Sequence, residues 1–440
     1  MAYLDAYEKY LGQLKDDIAN AKNLQKHLVF GYTSNLDVIF KWDIHKFNRI
    51  LDEFLLEEPS WESEEVIRNM EDFARITSEF LIKGMGGSVE VADIGVCEYL
   101  EKTFDLEYGL GGNGAQGAAA LGTLGIPVVV QMTDHSPEVC KKLEHGDIRF
   151  VDEEGHLVPM KGHARKEPPL YHMILQFTKG DKLQIRGKEY DIPVSNRLIL
   201  FCDSVHKAVP IPDPFLSYWE RHPCDISAYL IAGFDAVVDK QIMQERLDIL
   251  CPHYERLKKA NPGFILYFEG ADYINLDVKE LLYRSVSRYA DILGMNEEEL
   301  GTQLKRFGKD LDKGSLPNVL DGLRVMLQSF PVRGIVLHTK DYAMYFGARL
   351  PGVDIEKGLT IGNLMSATRA RLGRYGTIEM CTESLKMDLS PTGLRFFEEL
   401  AQTQADEYIC LVPSRYLEKP KYTIGLGDTF VAGVHTSFLK

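Results

Sequence analysis

Phe264–Asp272 reads FILYFEGAD: five apolar residues run into Glu269 and are closed by Gly270. Four comparable runs share this half of the chain: Arg197–Asp203 (RLILFCD), Ala228–Asp235 (AYLIAGFD), Gly334–Thr339 (GIVLHT) and Tyr408–Ser414 (YICLVPS). Amphipathic helical stretches separate them. Apolar strands alternating with helices specify an α/β fold, a mostly parallel sheet covered by helices on both faces. Open sheets of this kind place ligands at the carboxyl ends of their strands, which puts Glu269 at a ligand-facing edge. A solvated loop carboxylate is the competing reading.

Upstream, the first 27 residues read as a helix, His27–Gly31 (HLVFG) as a short strand and Tyr32–Asp37 (YTSNLD) as polar loop. A long charged helical stretch runs from about His45 to Lys83, and Gly84–Asp93 alternates like a strand. The Gly-rich Gly109–Gly117 leads into a small-residue helix, Gln116–Leu124, then the β-branched Ile126–Val130. Asp147–Met160 and His172–Arg186 each alternate around a Gly-containing turn, the pattern of antiparallel hairpins. These hairpins lie outside the strand–helix array and read as a lid. The expected division is therefore a large nucleotide-binding domain of residues 1–34, 109–147 and 198–440. A small β-rich lid would comprise 35–108 and 148–197.

The chain has 440 residues, with 50 basic against 65 acidic side chains and a formal charge of −15. That balance opposes a duplex nucleic-acid partner, which needs a basic face. It leaves anionic small substrates open, since net charge says little about one cleft. No apolar run approaches the ~20 residues of a membrane span. The N-terminal segment lacks the basic and apolar regions of a signal peptide, so a cytoplasmic location is expected. The seven cysteines form no C-x-x-C pair, so neither a zinc knuckle nor a disulfide framework is indicated.

Chemistry concentrates in a few segments. Thr423–Gly433 (TIGLGDTFVAG) places Gly425 and Gly427 before a helix expected to start at Asp428. Unpaired amides and a helix dipole there make an anion hole, and Asp428 could accept a proton from a substrate hydroxyl. The alternative is an N-cap aspartate. Asn296 and Glu299 in GMNEEEL have the spacing of a capping box; a magnesium ion on phosphate would also need one or two carboxylates, held largely through water. Asn35 and Asp37 could bind sugar hydroxyls or form an Asx-turn. Glu90 on the lid and His172 at a hairpin strand are further candidates, each with an exposed alternative. Arg197 precedes a buried strand and could meet a phosphate. Gly109–Gly114 (GLGGNG) fits G-x-G-x-x-G, with Asp134 twenty residues past Gly114. That spacing motivates a rival, an NAD-dependent oxidoreductase. The charged KTFDLEY before it is unlike the first strand of such a site, and no Walker A motif is present.

The order YTSNLD, GLGGNGAQGAAALGTLGIPVVV, FILYFEGAD, GMNEEEL, GIVLHT, TIGLGDTF resembles the ADP-dependent glucokinase/phosphofructokinase family of the ribokinase-like superfamily, from about His27 onward. The resemblance implies a large α/β domain capped by a β-rich lid that closes over a sugar. It implies transfer of the β-phosphate of ADP to a hexose or hexose phosphate, with magnesium, in glycolysis. Asp428 matches the catalytic aspartate of GXGD; Gly425, Gly427 and the Asp428 amide match the anion hole. Asn296 and Glu299 match the NXXE metal motif, and Glu269 the acid of HXE. This chain has Tyr267 where that motif has His, the sole motivation for a further rival, a non-catalytic sugar or nucleotide sensor. Asn35 and Asp37 match the sugar loop, and Gly111, Gly112 and Asn113 the Gly-rich substrate segment. In the family an acidic lid residue, here about Glu90, favours glucose. Basic lid residues receive the phosphate of fructose 6-phosphate, for which Lys161, His163, Arg165 and Lys166 are candidates, with a solvated charge run as the competing and favoured reading.

Overall fold

The run that opens FILYFEGAD forms the strand Ile265–Glu269, buried at all five positions. It lies inside the larger sheet of the protein. The structure is a computed structural model and describes residues 2–24, 26–55, 66–421 and 423–439; part of the expected helical stretch from His45 to Lys83 falls at 56–65, outside the described residues. Among the described residues the larger sheet has ten strands. Their order is Tyr408–Pro413, Tyr342–Gly347, Gly334–His338, Ile292–Asn296, Ile265–Glu269, Ile226–Ile231, His27–Phe30, Val128–Val130, Ile148–Val151 and Leu157–Pro159. Pairing is parallel from Gly334–His338 through to Ile148–Val151 and antiparallel at both ends. Strands covered on both faces must be apolar throughout, which is why the sequence runs are continuous rather than alternating.

A second sheet has six strands, in the order Val66–Ile67, Gly87–Val91, Asn196–Cys202, Tyr171–Phe177, Asn35–Phe40 and Leu106–Gly111, and it holds the strands of the expected lid other than Ile148–Val151, Leu157–Pro159, Lys182–Ile185 and Lys188–Asp191. The chain passes from one sheet to the other at Gly31–Ser34, between His27–Phe30 and Asn35–Phe40.

Arg197–Asp203 does not join the parallel array: it lies parallel to Gly87–Val91 and antiparallel to Tyr171–Phe177 in the lid. The hairpin Ile148–Pro159 belongs to the large sheet, because Ile148–Val151 pairs with Val128–Val130. His172–Arg186 is not a hairpin. Lys182–Ile185 pairs instead with Lys188–Asp191, through Arg186-Gly187 at φ 49° and 76°. Two consecutive residues at positive φ make the tight turn whose twist suits a hairpin, and this turn prevails over the looser Gly-containing one upstream. YTSNLD is not all loop, since Asn35 begins a strand. Among the described residues no helix is long and apolar enough to cross a membrane.

Candidate active site

The helix Leu426–His435 starts two residues before Asp428. Gly425 caps it at φ 66°, with no side-chain cap. A Cβ on Gly425 would lie 1.8 Å from Gln116 Oε1, so both backbone sign and space require glycine. Thr429 N–H donates to Gly425 O at 3.0 Å, the first intrahelical bond. The amides of residues 426–428 are then the orphan donors of a helix start, at the positive end of its dipole. Beneath the turn the buried Arg369 guanidinium donates to Gly425 O at 2.9 Å, Thr429 Oγ1 at 2.8 Å and Gln116 Oε1 at 2.7 Å. Gln116 lies on the small-residue helix Asn113–Leu124, so Arg369 locks the turn to that helix.

Asp428 is not an N-cap. Its carboxylate accepts from Asn113 Nδ2 at 2.7 Å. Burial raises its pKa to about 6, against the opposing effects of Asn113 and the Arg369 charge. It faces a cavity of 270 Å³ lined also by Asn35, Asp37, Gly112, Asn113, His172, Arg197 and Gly425. Asn35 Nδ2 donates to Asp37 Oδ1 at 2.8 Å. Opposite Asn35 stands Gly111, where a Cβ would lie 2.2 Å from Asn35 Nδ2; Gly111 thus supports the pair from behind rather than lining the space. Sequence reading overlooked Thr33, Gln116, His206 and Asp235 in this cavity. Asp235 ends AYLIAGFD, just past a parallel strand, and that position was its available signal.

Glu90 does not line the cavity. It shares the lid-sheet row Glu90–Phe201–His172–Asp37, and paired residues project to one face. Its carboxylate is ion-paired with Lys207. The Lys161–Lys166 cluster lies beyond Leu157–Pro159, where Arg165 pairs with Glu153 and His163 packs on Phe150. None of the four lines this cavity.

Across the turn lies a second cavity, of 550 Å³. It is bordered by Asn296, His338, Lys340, Asn363, Ser366, Thr423, Gly427 and Phe430. Asn296 and Glu299 do form a reciprocal capping box. Behind His338, its Nε2 lies 2.9 Å from Glu269 Oε1. Burial and then the Glu269 charge raise the Glu299 pKa to about 7. Burial would lower the His338 pKa, yet the charges of Glu269 and Glu299 raise it overall. Glu269 Oε2 is buried with no hydrogen-bond partner, and a Cβ on Gly294 would lie 1.9 Å from it. An orphaned carboxylate oxygen beside a second carboxylate suits a hydrated divalent cation. Tyr267, where a His was expected, is fully buried and packs on His435; the imidazole reaching Glu269 comes instead from His338.

Residues 26–436 match the ADP-specific phosphofructokinase/glucokinase conserved region. The chain belongs to this family. This family member is 25% identical to the ADP-specific phosphofructokinase of Pyrococcus abyssi over 93% of its own length and 96% of the relative's. It is 23% identical to the ADP-dependent glucose/glucosamine kinase of the same organism, over 99% and 97%. Among solved structures, the last common ancestor of ADP-dependent phosphofructokinases from Methanosarcinales superposes with a TM-score of 0.81. That match has 18% identity and covers 100% of this chain and 98% of the other. An ADP-dependent kinase in complex with fructose-6-phosphate and ADPβS superposes at 0.75, with 18% identity over 99% and 98%. As a member, the chain is a phosphotransferase with an alcohol acceptor.

The oxidoreductase reading fails on the placement of its two motif elements. Gly109 and Gly111 sit in an edge strand of the lid, with Tyr108 beside them exposed. Asp134 cannot serve a ribose, since its oxygens accept from the amides of Ser136 at 2.8 Å and Leu170 at 2.7 Å.

Proposed function

We propose that the protein transfers the β-phosphate of ADP to a hydroxyl of glucose or fructose 6-phosphate, releasing AMP, and that it does so with magnesium in glycolysis. The observation that carries this reading is the place of Asp428: it faces the smaller cavity from the first turn of a helix whose other side borders the larger one. The smaller cavity takes the acceptor. Asn35 and Asp37 hold its hydroxyls there, while Arg197 and His172 supply positive charge. The larger cavity takes the nucleotide. One reacting hydroxyl meets Asp428, which takes its proton as the oxygen attacks the β-phosphorus in line.

The amides of residues 426–428 stabilise the transferring phosphoryl group, and Arg369 keeps them in place. The lid sheet excludes water, which would otherwise compete as acceptor. Asn296, Glu269 and Glu299 would hold magnesium largely through water, and when bound it neutralises phosphate charge. The test is a screen of glucose and fructose 6-phosphate against ADP and ATP, scored by AMP. Nucleotide binding without turnover on any acceptor would leave the sensor reading standing instead.

A further inference from the structure

His172 borders the acceptor cavity, but the group that holds it stands outside. Asp203 follows the lid strand Asn196–Cys202, with its side chain 1% exposed. Its Oδ1 accepts from the amides of Val205 at 2.8 Å and His206 at 3.0 Å. Its Oδ2 lies 3.1 Å from His172 Nε2 and 2.6 Å from His206 Nδ1. Backbone bonds thus fix one oxygen while the other faces two imidazoles. Among the described residues these three groups alone have metal-ligand proximity. The Asp203 oxygen already meets both ring nitrogens at hydrogen-bond distance, so protons close the cluster without a cation.

The chain of bonds continues past His206. Its Nε2 meets Thr133 Oγ1 at 2.7 Å. Thr133 Oγ1 accepts from Ser34 N–H at 2.9 Å and donates to Ser34 O at 2.9 Å, and Thr133 N–H donates to Ser34 Oγ at 3.0 Å. Ser34 is the last residue before the lid strand Asn35–Phe40, where the chain crosses between sheets. A continuous hydrogen-bonded path therefore joins the crossover to the ring beside the acceptor.

We propose that Asp203 is a positioning residue for the acceptor: it holds His172 through Nε2, leaves Nδ1 to donate to an acceptor oxygen, and ties that ring to the crossover at Ser34. This rests on reading the smaller cavity as the acceptor site. The groups facing His172 are Asp203 and His206 from the segment after its neighbouring strand, Asp37 from Asn35–Phe40, Asp235 from the loop after Ile226–Ile231, and Arg197 at the cavity wall. Burial pushes the His172 pKa down, but Asp203 first, then Asp37 and Asp235, raise it overall. The imidazolium this favours carries a proton on Nδ1, as the proposal requires.

The experiment is steady-state kinetics of the full chain and its Asp203→Asn variant, with glucose and fructose 6-phosphate, across pH. The expected result is an acceptor KM raised at least tenfold and an ADP KM within twofold of the parent. The alkaline limb of acceptor kcat/KM moves to lower pH, because His172 loses its carboxylate. Equal rises in both KM values, or no change in either, overturn the proposal. Should Asp203→Asn fail to fold, Thr133→Val is measured instead; a threefold or larger rise confined to acceptor KM supports the path, and an unchanged value overturns it. A parent without turnover overturns this inference together with the proposed function. Parental turnover with unmoved variant kinetics overturns this inference alone.

Discussion

Asn113 Nδ2 donates to the Asp428 carboxylate at 2.7 Å, joining the starts of two helices 315 residues apart in sequence. The bond stabilises the ionised form of an acid that burial pushes toward neutrality. Asp428 must be ionised to take a proton, so its raised pKa sets where activity begins. Turnover should rise with pH through about 6 and fall away below it. Asn113→Ala removes the lowering contribution, and the acid limb should move to higher pH; a pH–kcat profile that is unmoved contradicts the assigned role of the bond.

Replacing the acid itself separates chemistry from stability. Asp428→Asn should lower kcat by a factor on the order of 10³ or more, with ADP binding retained. The folded-state pKa exceeds the usual carboxylate value, so the ionised acid costs stability above pH 6 and nothing below about pH 4. At ~1.4 kcal/mol per pH unit the cost is at most ~3 kcal/mol, and solvent in the open cavity reduces it. Differential scanning calorimetry at pH 8 should therefore find the variant more heat-stable than the parent, and a lower Tm would argue against that linkage.

Arg369 joins the glycine turn to the helix Asn113–Leu124 through three hydrogen bonds, two of them buried. Arg369→Met leaves Gly425 O and Gln116 Oε1 without those donors, at a cost of ~2–4 kcal/mol. Urea unfolding should show a lower midpoint with an unchanged slope. Loss of phosphate-loop geometry should also reduce kcat more than it raises acceptor KM.

Glu269 and Glu299 repel one another behind the larger cavity. With Glu269→Gln, that repulsion is gone and the Glu299 pKa should fall from its raised value of about 7. A magnesium ion held as proposed would lose one carboxylate, so half-saturation should require at least ~10-fold more magnesium. A magnesium titration of the variant that overlays the parent's would remove Glu269 from the metal site.

The local motifs were legible because they are written in contiguous residues. TIGLGD declares a tight turn before a helix, and the continuous runs declare buried strands. Asn35, Asp37, Asn113 and Asp428, drawn from three separate motifs, line one cavity. What sequence could not disclose was which sheet a strand joins: RLILFCD is as apolar as FILYF, yet its partners are the lid strands Gly87–Val91 and Tyr171–Phe177. Pairing depends on long-range contacts that local periodicity does not encode. His338 shows the same limit. Its contact with Glu269 arises between strands separated by Ile292–Asn296, itself a strand the sequence reading overlooked because its Gly294 and polar end resemble a loop.

If Asp428 activates a sugar hydroxyl, ADP is consumed and AMP appears only as that hydroxyl is phosphorylated. The direct measurement is quantitation of AMP and hexose phosphate from ADP, magnesium and either glucose or fructose 6-phosphate, for the parent and Asp428→Asn. The parent should form AMP and phosphorylated product in equal amounts, with the variant nearly inert. Comparable turnover in the variant, or AMP formed independently of acceptor, would contradict it.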